Sequence, residues 1–330
     1  DQLSGMIDIN YKEDIAGNVL VQVEGIEFIT LNGANKMGLA PAAAFSQLSK
    51  PIWTHLSNTN KDVFDLSQEI APEYDNDKGG LKGLLLARGE RPANYTDMVN
   101  TATYEASIKP SMIMNTQAQF DNLIHGVVTL INNVLAPNTG APLALDTANA
   151  PYGLDGSQGI ELFIRKSMNR YNATNQYNVE DPTNVYSLYS ATNIEVNPDI
   201  LMDYDKICLN KNVSNVSDNS VIQSMIGKWQ EPFSSIEPGL STKLNINEYY
   251  HDFISGIGNV GNSSYNKVSN QELMTMQIEN QRSSNTAVSS DEELSNMIKF
   301  QHAYNAAAKV ISVLDQMIEQ VVQSLGLVGR

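Results

Sequence analysis

The residues best suited to metal binding or acid–base chemistry are four histidines, and they are scattered along the chain at His55, His125, His251 and His302. A helix presents two histidines to one metal ion when their spacing is HxxxH or HExxH, and neither spacing occurs here. His251 and Asp252 are sequence neighbours, but neighbours on a helix do not face each other, so spacing does not make them a catalytic pair. The pattern favours isolated imidazoles over a zinc site.

Other motifs that carry chemistry are incomplete. Asp75 and Asp77 stand before a Gly-Gly pair, as at the start of a calcium loop, but the later ligands and the Glu at the twelfth position are missing. Neither GxxxxGK[ST] nor GxSxG occurs, so a phosphate-binding loop and a serine nucleophile elbow have no sequence basis. The GxGxxG match, Gly256–Gly261, follows a helical pattern and is interpreted as a flexible helix end. We therefore predict no catalytic residue, no cofactor and no metal ion.

Composition narrows the class of protein further. The 330 residues are 42% hydrophobic and 18% charged, which suits two or three packed domains and argues against a disordered chain. The 37 acidic and 21 basic residues give a net charge of -16, which disfavours nucleic acid and anionic membranes as partners. No run approaches the ~20 apolar residues of a membrane span. The one cysteine, Cys208, lies in an apolar run and is expected to be buried as a small hydrophobe.

The elements at the start of the chain are predicted to be β-strands. Three runs of alternating or β-branched residues are Ile7–Tyr11, Val19–Val23 and Ile26–Leu31. Asp14–Asn18 supplies turn residues between the first two, so a β-hairpin with a third strand is predicted. Further short strands are expected near Ile52 and Val63. A polar, glycine-rich loop follows, so an outer domain is expected over residues 1–78.

Helical periodicity begins at Leu81, and a helical core segment is predicted over residues 79–136. Its strongest part has an apolar seam, with Thr116 as a single polar member: Ile113, Phe120, Leu123, Val127, Leu130 and Val134. Residues 137–243 are rich in Ala, Asn, Gly and Pro and are predicted to form an irregular β-containing insertion domain. Its β-like runs cover residues 160–164, 186–196 and 201–209.

The remaining chain, residues 244–330, is predicted to be a helical core with a terminal assembly helix. A helix is expected over Asn247–Val260. The pattern Ser269–Glu272 reads as a capping box that begins a second helix, ending near Arg282. Another capping box, Ser290–Glu293, begins the terminal helix and places acids where the helix dipole favours them.

An unbroken apolar seam runs along the terminal helix. Its nine positions, spaced alternately by three and four residues, are Met297, Phe300, Tyr304, Ala307, Ile311, Leu314, Ile318, Val321 and Leu325. Such a seam must pack against another helix, because a long helix is marginal alone and an exposed apolar stripe is costly. The partner is either a helix of this chain, at 112–135 or 247–282, or a neighbouring copy. The pattern predicts an assembly interface and no enzyme.

The same region resembles a known family. Glu279–Arg282 and Asp291–Ile311, continuing through Leu314–Ile318 to the end, closely resemble the C-terminus of the flagellar hook-associated protein 1 family of bacterial hook–filament junction proteins. Asp1–Ile9 and Gly79–Leu85 resemble its mid-chain landmarks, in the same order. The detail of the C-terminal stretch favours this family over flagellin.

This resemblance extends over nearly the whole chain, strongly over residues 246–330 and weakly over 137–240. The family's N-terminal segment, which forms the partner of the terminal helix and carries the export signal, has no counterpart here. The chain opens on Asp1–Met6 without an initiator methionine or an apolar signal core. It is therefore interpreted as a fragment of a longer protein.

What the resemblance implies is a secreted, extracellular structural subunit of the flagellum that joins hook to filament by helical self-assembly. The implied fold is α+β: an elongated helical bundle with a long, coiled-coil C-terminal helix and β-rich inserted domains. The implied partners are copies of the same chain, the hook protein, the adjacent junction protein and an export chaperone on the C-terminal helix. Two alternatives stay open: another flagellar axial protein, either flagellin or the second junction protein, and a binding or catalytic module within residues 137–240.

Overall fold

The described part of the chain contains small antiparallel sheets and seven α-helices, so the expected α+β class is confirmed. Its contacts divide the chain into two units, residues 1–258 and 259–330. The computed structural model describes residues 2–326 apart from 45, 57–60, 67–69, 71–73, 75, 77, 141–142, 214–217 and 287–289. The two aspartates considered for a calcium loop, Asp75 and Asp77, lie outside the described residues.

Alternating apolar residues at the start of the chain form an antiparallel meander. Its strands, in chain order and in spatial order, are β1 (Ile9–Glu13), β2 (Val19–Val23), β3 (Ile26–Thr30) and β4 (Gly33–Ala34). The Asp14 carboxylate closes the first turn by accepting the backbone N–H groups of Ala16 and Asn18, both at 2.8 Å. The predicted hairpin and third strand are confirmed.

A second hairpin, β5 (Met37–Pro41) and β6 (Ser49–Trp53), completes the β-rich start. The predicted strand near Ile52 is confirmed, whereas Val63 lies in no strand and follows a single bridge between Ile52 and Asp62. Fully buried Trp53 packs beside Val23 and against helix α1 (Gly80–Arg88) through Leu85. The sheets are therefore held by a shared hydrophobic core.

The central helix of the first unit is α3 (Met112–Leu135), which follows the short α2 (Thr101–Thr103) and a π-helical turn at Tyr104–Ile108. Ser111 caps α3 by accepting the N–H of Met114. The predicted helix is confirmed, ending before Pro137.

Burial on α3 differs from the predicted seam. Leu123 is buried, and Val127 and Leu130 pack with it beside Trp229 and Tyr249. Ile113 and Phe120, however, are 47% and 43% exposed. The more thoroughly buried face lies on another side of the helix, along Met114, Ala118, Asp121, Val128, Asn132 and Leu135.

The buried face of α3 includes the polar residue Asn132, whose side-chain oxygen and nitrogen both take part in hydrogen bonding. It is fully buried, and its amide donates to the Phe163 carbonyl at 2.7 Å and accepts the N–H groups of Leu162 and Phe163 at 3.1 Å. A buried amide is tolerated when its hydrogen bonds are made. α3 is therefore covered on two sides, by Trp229 and Tyr249 on one and by the backbone at Leu162 and Phe163 on the other.

Regular β-structure in the insertion is sparse. One two-stranded sheet pairs β7 (Phe163–Arg165) with β8 (Ile194–Val196), and a helix, α4 (Pro198–Met202), follows. The first predicted run overlaps β7 and the second contains β8, but residues 201–209 contain helical turns, so the predicted strand there was wrong.

Two buried arginines donate hydrogen bonds to backbone carbonyl groups. In a larger sheet, neighbouring strands would supply these hydrogen bonds. The Arg165 guanidinium, 1% exposed, donates to the carbonyls of Asn178, Ser187 and Asn169 at 2.6 to 3.0 Å. Arg170 donates to the Ala136 carbonyl at the end of α3. Cys208, as expected, is buried, and burial raises the pKa of its thiol.

Three helices complete the chain: α5 (Ser220–Gln230), α6 (Ile246–Thr286) and α7 (Ser290–Gly326). The predicted terminal helix is confirmed by α7. Two expectations about α6 were wrong. It is continuous through Ser269–Glu272, and Gly256–Gly261 lies in its interior instead of at its end.

The start of α6 shows where its capping box lies. Asn245 accepts the N–H of Glu248, and the Glu248 carboxylate accepts the N–H of Asn245, both at 3.0 Å. This reciprocal pair satisfies two donors of the first turn.

Gly126 on α3 provides a test of this packing. A Cβ added there would lie 2.4 Å from the Phe233 ring, which also packs on Tyr249 with ring centroids 5.2 Å apart. We expect Gly126→Ala to lower the free energy of unfolding by about 1–3 kcal/mol through overpacking. Urea unfolding followed by circular dichroism measures this change.

The matched control is Gly227→Ala in α5, where an added Cβ meets nothing within 4 Å. It is expected to leave stability unchanged or to raise it by up to ~1 kcal/mol. Equal stabilities of the two variants would contradict the packing described for Gly126.

Candidate assembly surface

The predicted seam of α7 is exposed to solvent along the described helix. Its large side chains are 52% to 76% exposed, from Leu314 at the lower end to Tyr304 at the upper end. Ala307 is exposed as well, and the side chain of Leu325 lies outside the described residues. The other exposed members are Met297, Phe300, Ile311, Ile318 and Val321.

Local sequence explains why this segment is helical. Asp291, Glu292 and Glu293 occupy the first turn, where they interact favourably with the helix dipole. Three successive alanines, 306–308, provide the strongest helix-forming residue in the middle. The helix thus holds its seam residues on one side, since a three-and-four spacing matches the helical repeat.

A second apolar row lies beside the seam, and its residues are not among the predicted seam residues. If the seam residues occupy positions a and d of a heptad, this row occupies c and g. Its members are Ala303, Ala306, Val310, Val313 and Met317. Val310, Val313 and Met317 are 59%, 54% and 58% exposed. The sequence already contained this row, because its members repeat the three-and-four spacing of the seam one residue earlier.

The two rows together form a broad apolar arc. At 100° per residue, positions a, d, c and g cover about 160° of the helix circumference. The remaining positions over residues 301–319 carry polar side chains, apart from Ala308: Gln301, His302, Asn305, Lys309, Ser312, Asp315, Gln316 and Glu319. A strict coiled-coil seam is narrower than this arc.

A polar cluster where the insertion meets α3 is the arrangement closest to catalytic chemistry. The His125 ring nitrogen Nε2 lies 3.1 Å from Glu180 Oε2, and the Tyr95 hydroxyl donates to Glu180 Oε1 at 2.6 Å. The Tyr95 ring stacks on the His125 ring with centroids 3.8 Å apart. Sequence spacing could not identify this cluster, because the three residues are far apart along the chain.

The groups around Glu180 and Asp121 determine how readily these two carboxyl groups ionise. Burial opposes ionisation of Glu180, but the contact with His125, the Tyr189 amide and the Tyr95 hydroxyl outweigh it and lower the pKa of that carboxyl. Nearby Asp121 accepts the N–H groups of Tyr95 and Ala191, and burial raises its pKa. These groups hydrogen-bond three chain segments to one another: the turn at Tyr95, helix α3 and residues 180–191 of the insertion. The cluster therefore holds the insertion against α3.

Two kinds of feature are absent from the described residues. No group of three or more His, Cys, Asp or Glu side chains there could hold a metal ion. Within the same residues, no helix combines the length and apolar content that crossing a bilayer requires.

Two comparisons with known proteins give matches, and the family match lies in the region of α7. Residues 279–324 match the family described as Flagellar basal body rod FlgEFG protein C-terminal. The chain is also similar to flagellar hook-associated protein 1 of Bacillus subtilis (strain 168), with 36% identity over 98 residues. That similarity covers 28% of this chain and 19% of the relative. The resemblance stated from the sequence is confirmed, and a structural role in the bacterial flagellum is supported.

The His125–Glu180 contact leads to a prediction about pH. Because the folded-state pKa of Glu180 is lowered, its stabilisation is present at neutral pH and is lost as the pH falls through that pKa. We expect His125→Leu to lower the free energy of unfolding by roughly 1–2 kcal/mol at pH 7. The difference from the parent protein should shrink below pH ~4.

Urea unfolding between pH 3 and pH 7 measures this effect. The control is His302→Leu, at an exposed position of α7, which should leave unfolding of the first unit unchanged. A His125→Leu deficit of the same size at pH 3 and pH 7 would assign the effect to the Tyr95 stack, contrary to the prediction.

Proposed function

We propose that this chain, as a structural component of the bacterial flagellum, serves at the junction between hook and filament, assembles into a helical array and catalyses no reaction. The observation that carries the proposal is the exposed seam of α7 from Met297 to Val321. It lies inside residues 279–324, which match a flagellar family.

Burial of the exposed seam against another helix is energetically favourable. Fully burying a large apolar side chain contributes about 1.5–3 kcal/mol, and the large seam residues are each more than half exposed. A partner helix that covers the seam therefore gains several such contributions, which offset the loss of translational and side-chain freedom on association. A covered seam is favoured over a solvated one.

The width of the arc supports more than one neighbour. In a two-stranded coiled coil, the g positions flanking the seam are usually charged. Here the g positions Ala303, Val310 and Met317 are apolar. In the proposal, α7 contacts one helix through positions a and d and a second through c and g. Subunits related by a helical operator repeat such unlike contacts along the array.

The proposed partners are those that the resemblance implies, and the relative's printed name supports association with the hook. They are copies of the same protein, the hook protein and the adjacent junction protein. An export chaperone covers α7 before assembly, since an uncovered apolar stripe promotes aggregation. The mature location is extracellular, after secretion. Residues 1–78 and 137–243 form the outer domains of the subunit, and 79–136 and 244–330 form its helical core.

A second candidate is another axial protein of the flagellum. It is favoured by the printed description of the matched family, which names rod proteins. Complementation separates the candidates: the full-length protein should restore filament attachment in cells lacking hook-associated protein 1, and failure there with rescue of a rod mutant would support the second candidate.

The seam leads to a direct test of assembly. We expect the double substitution Ile311→Asp and Leu314→Asp to abolish filament attachment, because two unpaired carboxylates would enter an apolar interface. Attached filaments are counted by electron microscopy in cells whose only copy of the protein carries both changes.

The matched control is Ser312→Asp with Gln316→Asp, which adds the same charge to the polar side of the same helical turns. This variant should attach filaments normally. Normal attachment in the seam variant, or equal loss in both variants, would refute the proposal.

The second row is tested separately. Val310→Asp with Val313→Asp should also prevent assembly if α7 has two neighbouring helices. Cross-linking of the exported subunit measures whether any pairing remains. Normal assembly of this variant would restrict the interface to positions a and d.

A further inference from the structure

The interior of α6 contains a segment with unusually poor helix-forming residues. Residues 256–266 read Gly-Ile-Gly-Asn-Val-Gly-Asn-Ser-Ser-Tyr-Asn. Glycine is the least favourable residue in a helix after proline, and Asn, Ser and Val are also unfavourable relative to alanine. The segment contains no Ala, Leu, Glu, Lys, Gln, Arg or Met, which are the good helix formers.

Packing gives no reason for these glycines. A Cβ added at Gly256, Gly258 or Gly261 would meet nothing within 4 Å beyond the helix itself. Gly126 in α3 is the opposite case, since the Phe233 ring occupies the space of its missing side chain. Nor does the backbone require them, because all three lie within a continuous α-helix.

Tertiary contacts do not compensate for the low propensity. The start of α6 is anchored by Ile246, Tyr249 and Phe253, which are 4%, 0% and 6% exposed. After that, Ile257 is half-buried, and the other side chains of residues 256–266 are exposed. The border between the two units, at Gly258 and Asn259, falls inside the same segment.

We propose that residues 256–266 are a hinge at which α6 bends and transiently loses its helical hydrogen bonds in solution. Helical stability in proteins comes mainly from packing of an apolar face, and here both packing and propensity are low. Low local stability of this kind marks a segment that opens independently of the core. With the proposed function as a premise, the hinge lets α7 change direction during assembly without repacking the first unit.

Distance measurement across the segment tests the hinge in the full chain. Nitroxide labels at Asp252→Cys and Asn270→Cys lie on the same face, and a continuous helix would place their Cα atoms about 27 Å apart. The native Cys208 is fully buried, so labelling is directed to the new sites. Pulsed electron paramagnetic resonance should give a broad distribution extending to shorter distances.

The stiffened variant carries Gly256→Ala, Gly258→Ala and Gly261→Ala together, and open space exists for each new methyl group. It should narrow the distribution to that of a continuous helix. It should also slow amide hydrogen exchange of residues 256–266 by about a hundredfold. Gly227→Ala, which adds a methyl group to open space in α5, should change neither measurement in this segment.

A single narrow distance in the parent protein, with exchange in residues 256–266 as slow as in the anchored turns before them, would overturn the hinge. So would a triple variant that leaves both measurements unchanged. Neither measurement depends on filament formation, so a failed hinge leaves the assembly test intact and a failed assembly test leaves the hinge intact.

Discussion

The broad apolar arc of α7 is exposed, and the proposed role of this chain depends on that exposure. Side chains such as Phe300 and Ile311 form an ordered row on a polar helix, and water is an unfavourable environment for such a row. In the proposed function, cover by helices of neighbouring subunits places this row inside an assembly.

The first unit satisfies its own packing needs, and this contrast separates the two units. α3 is covered on two sides, with Leu123 packed against apolar residues and Asn132 bonded to the insertion backbone. Arg165 supplies donors for carbonyls that lack a sheet partner. The insertion is thus ordered by hydrogen bonds from buried polar side chains to its backbone, because it has few strands to pair.

α6 runs from the first unit into the second, and its composition changes along its length. Tyr249 and Phe253 are buried, whereas the glycines from Gly256 to Gly261 have neither packing nor propensity in their favour. A packed anchor, a weak segment and an uncovered apolar helix follow one another along the chain. In the two proposals, this order places a hinge between the packed start of α6 and the helix that binds neighbouring subunits.

The sequence by itself determined the features that depend on local periodicity. These include the strands around Asp14, the start of α7 at Ser290 and the seam through Ile311, because each is a repeat of side chains along one element. Only the tertiary structure decided which face of α3 is buried and that Asn132 is an anchor. Burial and hydrogen-bond partners come from residues distant in sequence, and no local pattern encodes which of them meet.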